Sequence, residues 1–102
     1  MNIKDYKPSF RFLGNKRIII CTLEKSKCAN FGVGVAYCAD EDMSFYSERF
    51  GVRLAHTRAE YDLYKRVGEK QKAAEKAKEV YKMIKDFDKA IGSIKSQRRG
   101  KN

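Results

Sequence analysis

The stretch GVGVAYCADEDMSFYSERFGVRLAHTRA, residues 32–59, decides the fold because it passes from an apolar strand through an acidic turn into a helix. Its alternating valines and small residues predict a half-buried strand that ends near Cys38. The carboxylates that follow cannot continue a strand, but they suit the positive N-terminal end of a helix. We therefore expect a helix that starts near Ser44 and covers about residues 44–67.

That helix has two apolar stripes on opposite sides. The first stripe is Phe50, Leu54, Tyr61 and Tyr64, and the second is Val52, Ala55, Ala59 and Leu63. A helix on the surface of a domain needs only one apolar face. We therefore expect the sheet on one side of it, and either a second helix or another subunit on the other.

Two more strands are predicted before this stretch. Residues 9–13 alternate apolar and polar side chains, and residues 17–23 contain three consecutive isoleucines, which indicates either burial on both faces or a central position in the sheet. Gly-Asn-Lys at residues 14–16 is typical of a turn, because Gly and Asn tolerate positive φ. The segment before Pro8 is polar, and we expect it to be loose.

The glycines of GVGV could be mistaken for a phosphate-binding loop. Such a loop needs its glycines at a strand-to-helix turn, whereas Gly32 and Gly34 lie within the predicted strand. We expect them to mark a place where a backbone or an aromatic ring passes close to the strand.

A second helix is expected from near Glu69, after Gly68. Its apolar residues alternate spacings of four and three, a coiled-coil pattern: Ala73, Ala77, Val80, Ile84, Phe87, Ile91 and Ile94. This heptad face either folds back on the first helix or pairs with its copy in another subunit, and we expect a homo-oligomer. The fold predicted is α+β, a three-stranded antiparallel meander followed by two helices. Residues 1–95 form the single domain, and residues 96–102 form a flexible basic tail.

The chain is strongly basic, with 23 Lys and Arg against 13 Asp and Glu and a formal net charge of +10. The excess lies in residues 1–38 (+5) and 69–102 (+6), whereas residues 39–68 carry −1. This balance favours polyanionic partners such as nucleic acid, nucleotides or an acidic protein surface. We expect a cytoplasmic protein, because no apolar run approaches a membrane span and the N-terminal residues lack a signal-peptide core.

The clearest charge pattern lies on the second predicted helix. Four lysines spaced four, three and four apart share one line opposite the heptad face: Lys78, Lys82, Lys85 and Lys89. Such a row can follow a phosphate backbone and release its counterions without reading sequence. The alternative is an ordinary solvated helix face, whose field is softened by the nearby Glu75, Glu79 and Asp86.

Arginines form a second candidate anion-binding set. They are Arg49, Arg53 and Arg58 on the first helix, and Arg98 and Arg99 in the tail. The planar guanidinium suits bidentate phosphate recognition, and a neighbouring ring, Tyr61 or Phe50, could stack on a base. The first two arginines lie on one flank and Arg58 on the other. The first two could equally pair with glutamates of the same helix.

Catalytic and metal sites have little support in the sequence. Cys21, Cys28, Cys38 and His56 are ligand types that zinc prefers, but the cysteines lack the spacing of a zinc knuckle. In predicted strands, reduced cysteine behaves as a small apolar residue. No serine or cysteine is placed beside His56 by local spacing. The sequence therefore predicts a protein that is not an enzyme and that uses neither a metal ion nor a cofactor.

A pattern across residues 34–59 resembles small accessory proteins of phages that infect Firmicutes. It comprises GVAYC at 34–38, the acidic turn, Phe45, Gly51, Leu54-Ala55 and Arg58-Ala59. The resemblance implies a short protein made early in infection that acts by binding host machinery or host defence. Such proteins include anti-CRISPR inhibitors and oligomeric sponges that sequester cyclic-nucleotide signals. The acidic DNA-mimic type does not fit, because a chain of +10 cannot imitate a phosphate backbone.

Three functions therefore remain open. The leading expectation is a phage-type inhibitor that binds nucleic acid, or a nucleic-acid-loaded host complex, through the lysines and arginines above. The second is an oligomeric sponge that encloses a nucleotide with the helix arginines and a stacking tyrosine. The third is a protein-interaction module that docks its heptad face on a host helix; that face is Ala77, Val80, Ile84, Phe87 and Ile91.

Overall fold

A computed structural model describes residues 1–38 and 48–99, with side chains as far as Ser93. Its elements are β1 (Lys7–Leu13), β2 (Ile18–Glu24), β3 (Gly32–Tyr37), α1 (Glu48–Arg66) and α2 (Lys70–Arg99). The strands pair antiparallel in the order β1-β2-β3. The predicted α+β fold, a three-stranded meander followed by two helices, is confirmed. The expected helix start near Ser44 lies outside the described residues.

The isoleucine run occupies the central strand, and only one of its faces is covered. Ile19 is fully buried in the core, whereas Ile18 and Ile20 point to the opposite face and are half-buried. Successive side chains of a strand alternate between faces, so one layer of helix covers only every second residue. Of the two alternatives, the central position is the one that explains this run.

The turn between β1 and β2 consists of left-handed backbone. Gly14, Asn15 and Lys16 have φ values of 59°, 57° and 68°. Gly and Asn adopt this region at less cost than other residues. The N–H of Arg17 closes the turn by donating to the carbonyl of Gly14 at 3.1 Å. The predicted turn is confirmed.

Two glycines of β3 let α1 lie directly on the strand. A Cβ atom on Gly34 would overlap the backbone of α1 at Ala55 and Ala59. A Cβ atom on Gly32 would overlap the carbonyl of Ala59 and the side chain of Leu63. The helix also presents fully buried alanines at this contact, which brings the two backbones together. The expectation that a backbone passes close to these glycines is confirmed.

α1 is buried on two sides, as its two stripes predict. The sheet covers one side, and α2 covers the other, where the rings of Phe50 and Phe87 stack. Gly68, with φ of 83°, lies in the connection between the helices. α2 runs antiparallel to α1, and its apolar face packs against it. Of the two expected alternatives, a second helix covers the second face, and the domain has three layers: sheet, α1 and α2.

The N-terminal segment is ordered, so the expectation of a loose segment was wrong. Ile3–Asp5 forms one 3-10 turn, and the Asn2 side chain accepts a hydrogen bond from the N–H of Lys4 at 3.0 Å. Tyr6 is buried in the main core. Tyr6, together with the half-buried Ile3, anchors this segment, and two apolar side chains three residues apart are too few to produce a periodic signal in a sequence.

At the other end, α2 extends to Arg99, past residue 96, where the basic tail was expected to begin. Gly92 does not interrupt the helix. Glycine lowers helix stability by about 1 kcal/mol but keeps its N–H, so the hydrogen-bond ladder continues through it. The side chains of Arg98 and Arg99 lie outside the described residues. Neither helix, over the part of the chain described, is apolar enough along its length to span a membrane.

Candidate polyanion-binding surface

Lys78, Lys82, Lys85 and Lys89 of α2, here called the lysine row, are all exposed. The row lies on the side of α2 that faces away from α1, with Lys82 where that side borders the groove between the helices. The residues of α2 that face α1, such as Val80 and Ile84, are half-buried. A helix rises 1.5 Å per residue, so the row is about 16 Å long. It forms one solvent-facing line of four ammonium groups on the outermost layer of the domain.

The lysine row is not neutralised by ion pairs. Within the described residues, no carboxylate oxygen lies within 4.0 Å of any of its four ammonium groups. The nearby Glu79 pairs instead with Lys76, at 3.1 Å. The ammonium of Lys85 lies 4.9 Å from the ring centroid of Tyr81, a contact that leaves its charge uncompensated. The row can therefore attract an external anion.

Arg49 and Arg53 are exposed on one flank of α1. The glutamates that could have paired with them have other partners: Glu48 pairs with Lys16 at 3.2 Å, and Glu60 pairs with Lys76 at 3.4 Å. In the described part of the chain, neither arginine forms an ion pair. As far as the described residues show, both guanidinium groups are therefore open to an external anion.

Arg53 lies near one member of the lysine row. Arg53 and Lys82 line the same open groove between α1 and α2, with a volume of about 530 Å³. Glu79 and Asp86 line this groove too, so its charge is mixed. We therefore expect an anion to bind more strongly along the lysine row than in this groove.

Arg58 lies on the opposite flank and has a structural contact. Its Nη1 donates to the carbonyl of Val35 at 2.7 Å, at the outer edge of β3. One turn further along α1, a carboxylate oxygen of Asp62 accepts a hydrogen bond from the N–H of Val33 at 2.9 Å. α1 thus supplies one donor and one acceptor to the edge strand. The structure does not bring Arg58 together with the other two predicted arginines of α1.

The predicted heptad face is an internal contact for most of its length. Ile91 is buried, Val80, Ile84 and Phe87 are half-buried, and Ala77 is exposed. Of the two alternatives for this face, folding back on α1 is the one observed. A host helix could therefore reach it only by displacing α1.

Lys76 holds the two helices together from the edge of their contact. Its ammonium lies 3.4 Å from Glu60 on α1 and 3.1 Å from Glu79 on α2, and its side chain is 24% exposed. Partial burial opposes the positive charge, but the hydrogen bonds and the attraction of Glu79 and Glu60 outweigh it and raise the pKa of Lys76. Lys76 therefore stabilises the contact between the helices and is not part of the lysine row.

The cysteines and the histidine have separate environments. Burial raises the pKa of Cys21 to about 11. Cys28 is half-buried, with its Sγ 3.3 Å from the hydroxyl of Tyr6. His56 packs edge-on against Phe10, with ring centroids 6.0 Å apart. No group of three His, Cys, Asp or Glu side chains in the described ranges is placed to hold a metal ion.

The sites predicted from the sequence thus separate into two groups. The lysine row is a continuous exposed surface, and Arg53 adjoins it at Lys82, whereas Arg58 belongs to the edge of β3. Comparison with protein-family models, with curated proteins and with solved structures finds no match to this chain. The function proposed below therefore rests on the surface of the chain itself.

Proposed function

We propose that this chain is a non-enzymatic protein that binds nucleic acid, or a nucleic-acid-loaded complex, through the lysine row of α2. The observation that supports this function is the exposed line of four ammonium groups, which have no carboxylate partner among the described residues. Phosphates of one DNA strand repeat about every 3.4 Å along the helix axis, so a row about 16 Å long matches about five phosphates. Lysine acts as a point charge, so the binding is insensitive to base sequence.

The charge of the whole helix supports the same face. From Lys70 to Arg99, α2 carries ten basic and four acidic side chains, a net charge of +6. α2 is also the outermost layer of the domain, on the far side of α1 from the sheet. The largest net positive charge of any element therefore lies on the outer layer, which favours the approach of a polyanion to that side.

The biological setting is a further part of the proposal. The resemblance of residues 34–59 to small phage proteins suggests that the bound complex belongs to host defence, for example a CRISPR effector loaded with its guide RNA. In such a complex, the lysine row contacts exposed nucleic-acid backbone and obstructs access by the target strand. The two alternative functions have less support, because Arg58 lies apart from Arg49 and Arg53 and because the heptad face already packs on α1.

A binding titration against mixed-sequence DNA and RNA at several salt concentrations tests the proposal. Four phosphate contacts predict that log K falls against log salt with a slope of about −3.6 on duplex DNA and about −2.8 on single strands. A variant with all four lysines of the row changed to Gln is expected to lose most of that slope.

A second variant provides the control for net charge. It changes four exposed lysines outside α2 to Gln, namely Lys4, Lys7, Lys25 and Lys27. Both variants lose four positive charges from the net +10, so a difference between them reports where the anion binds. A flat salt response of the wild-type protein, or equal losses in the two variants, would contradict the proposal.

A further inference from the structure

The face of the sheet that points away from α1 carries apolar side chains in two neighbouring rows of paired residues. Strand pairing aligns Leu13 with Ile18 and Ile18 with Tyr37, and in the next row it aligns Ile20 with Val35. Directly paired residues lie on the same face of a sheet. Leu13, Val35 and Tyr37 are 44%, 43% and 62% exposed. We call these five residues the outer patch.

No described element covers the outer patch, because both helices lie on the other side of the sheet. Polar side chains border it on the same face: Arg11 lies at the edge of β1, and Ser9 and Thr22 form the next row of the sheet. Lys7 and Glu24 lie beyond that row, at the end of the sheet furthest from Tyr37. An apolar centre with a polar rim is the usual anatomy of a protein interface. The outer patch therefore has the composition of a docking surface.

We infer that two copies of this chain pack together through the outer patch, sheet against sheet. A strand of seven residues is about 24 Å long and three strands are about 14 Å wide. With the relief of the side chains, the whole face, the outer patch and its polar rim together, offers roughly 500 Å² per copy, so a dimer buries roughly 1,000 Å², close to the lower limit for a specific interface. The area predicts a dimer that forms at moderate concentration and dissociates on dilution.

The distribution of charge favours a second copy on this face over pairing through α2. Each chain carries +10, and α2 is its most positive element. The outer patch and the lysine row lie on opposite surfaces of the domain, because α1 separates the sheet from α2. Contact through the outer patch keeps the two lysine rows as far apart as the fold allows, whereas contact through α2 would bring them together.

The oligomeric state in the absence of nucleic acid tests this inference. Sedimentation equilibrium or light scattering over about 1 µM to about 1 mM is expected to show a mass that rises from 11.8 kDa towards twice that value. A mass that stays at 11.8 kDa over the whole range would overturn the dimer and would leave another protein as the occupant of the outer patch. Mass does not depend on nucleic acid, so the dimer and the proposed function can fail separately.

Two tyrosines provide a matched pair of variants. Tyr37 in the outer patch and Tyr81 on α2 are both 62% exposed. Tyr37→Glu is expected to weaken dimerisation at least about tenfold, because it buries an unpaired carboxylate in the interface, whereas Tyr81→Glu is expected to leave it unchanged. Each change lowers the positive charge of the chain by one unit, so reduced repulsion cannot account for dissociation.

A second change in the outer patch protects the test against a misfolded variant. Val35→Glu, with folding checked by circular dichroism, is expected to dissociate the dimer as Tyr37→Glu does. If both variants of the outer patch remain dimeric, or if Tyr81→Glu weakens the dimer equally, the interface lies elsewhere and the inference is wrong.

Discussion

The ring of Phe50 on α1 lies nearly parallel to the ring of Phe87 on α2, with centroids 4.3 Å apart and 8° between their planes. This stack joins the second and third layers of the domain. Aromatic pairs contribute about 0.5–1.5 kcal/mol beyond the burial of their area. The stack therefore helps to hold α2 in the position that turns the lysine row towards solvent.

Removal of this stack should destabilise the protein. Phe87→Ala is expected to lower the free energy of unfolding by about 2–3 kcal/mol, less than for a fully buried ring because Phe87 is half-buried. Urea denaturation measures the change. Tyr81→Ala on the exposed side of α2 is the control and should stay within about 0.5 kcal/mol of the wild type. Equal effects of the two changes would mean that the stack does not stabilise the fold.

A methyl group at Gly34 should separate α1 from β3. Gly34→Ala is expected to cost about 3 kcal/mol, because the new Cβ overlaps helix backbone that cannot move like a side chain. Gly92→Ala is the control: nothing lies within 4 Å of its Cβ position, and alanine should raise stability by about 0.5–1 kcal/mol. Thermal melting followed by circular dichroism compares them. A Gly34→Ala protein that melts like the wild type would rule out the close approach.

Cys28 should react with alkylating reagents before Cys21. The hydrogen bond from the Tyr6 hydroxyl is the main cause that lowers the pKa of Cys28, whereas burial raises the pKa of Cys21 to about 11. The thiolate is the reactive form, so the rate at neutral pH follows the pKa and the exposure. Peptide mass spectrometry after iodoacetamide treatment at several pH values gives both rates.

Tyr6→Phe tests the cause of this reactivity. It keeps the buried ring but removes the hydroxyl that lies 3.3 Å from Cys28, so the pKa of Cys28 should rise and its alkylation should slow. The rate at Cys21 in the same sample shows whether the fold has opened. An unchanged rate at Cys28 would mean that the hydroxyl does not stabilise the thiolate.

Lys76 should make the pairing of the helices sensitive to alkaline pH. Its pKa is raised in the folded state, so its stabilisation is complete below the unfolded pKa of about 10.4 and is lost as the pH rises through the higher folded value. Lys76→Met is therefore expected to reduce the fall in melting temperature above about pH 10.4. Lys78→Met removes an exposed lysine that has no carboxylate partner among the described residues, so this variant should retain the full fall in melting temperature. The same alkaline profile in both variants would exclude this role for Lys76.

The lysine row could be predicted from the sequence because helix geometry is local. Residues four and three apart share a face whatever the helix packs against, so the spacing from Lys78 to Lys89 determines the line. The glycines of β3 were equally informative, since two glycines within a strand indicate a close neighbour. For the isoleucine run, the sequence could not distinguish one covered face from two, because a central strand has apolar residues in both cases.

The contacts of Arg58 and Asp62 could not be predicted. Their spacing of four on one helix is typical of an intrahelical ion pair. Arg58 instead donates to the carbonyl of Val35, and Asp62, which pairs with Arg66 on its own helix, also accepts from the N–H of Val33. The two contacts with β3 come within reach only when α1 docks on that strand. A contact between a side chain and a distant backbone atom leaves no spacing in the sequence.

These two contacts also limit how the sheet can grow. An open strand edge can recruit further strands without end, which is the route to fibrils. The bonds from Arg58 and Asp62 already occupy groups that a fourth strand would need at β3, and Pro8 has no N–H to donate from β1. Sideways polymerisation is therefore disfavoured, and stacking of two sheets face to face is a closed arrangement that stops at a pair.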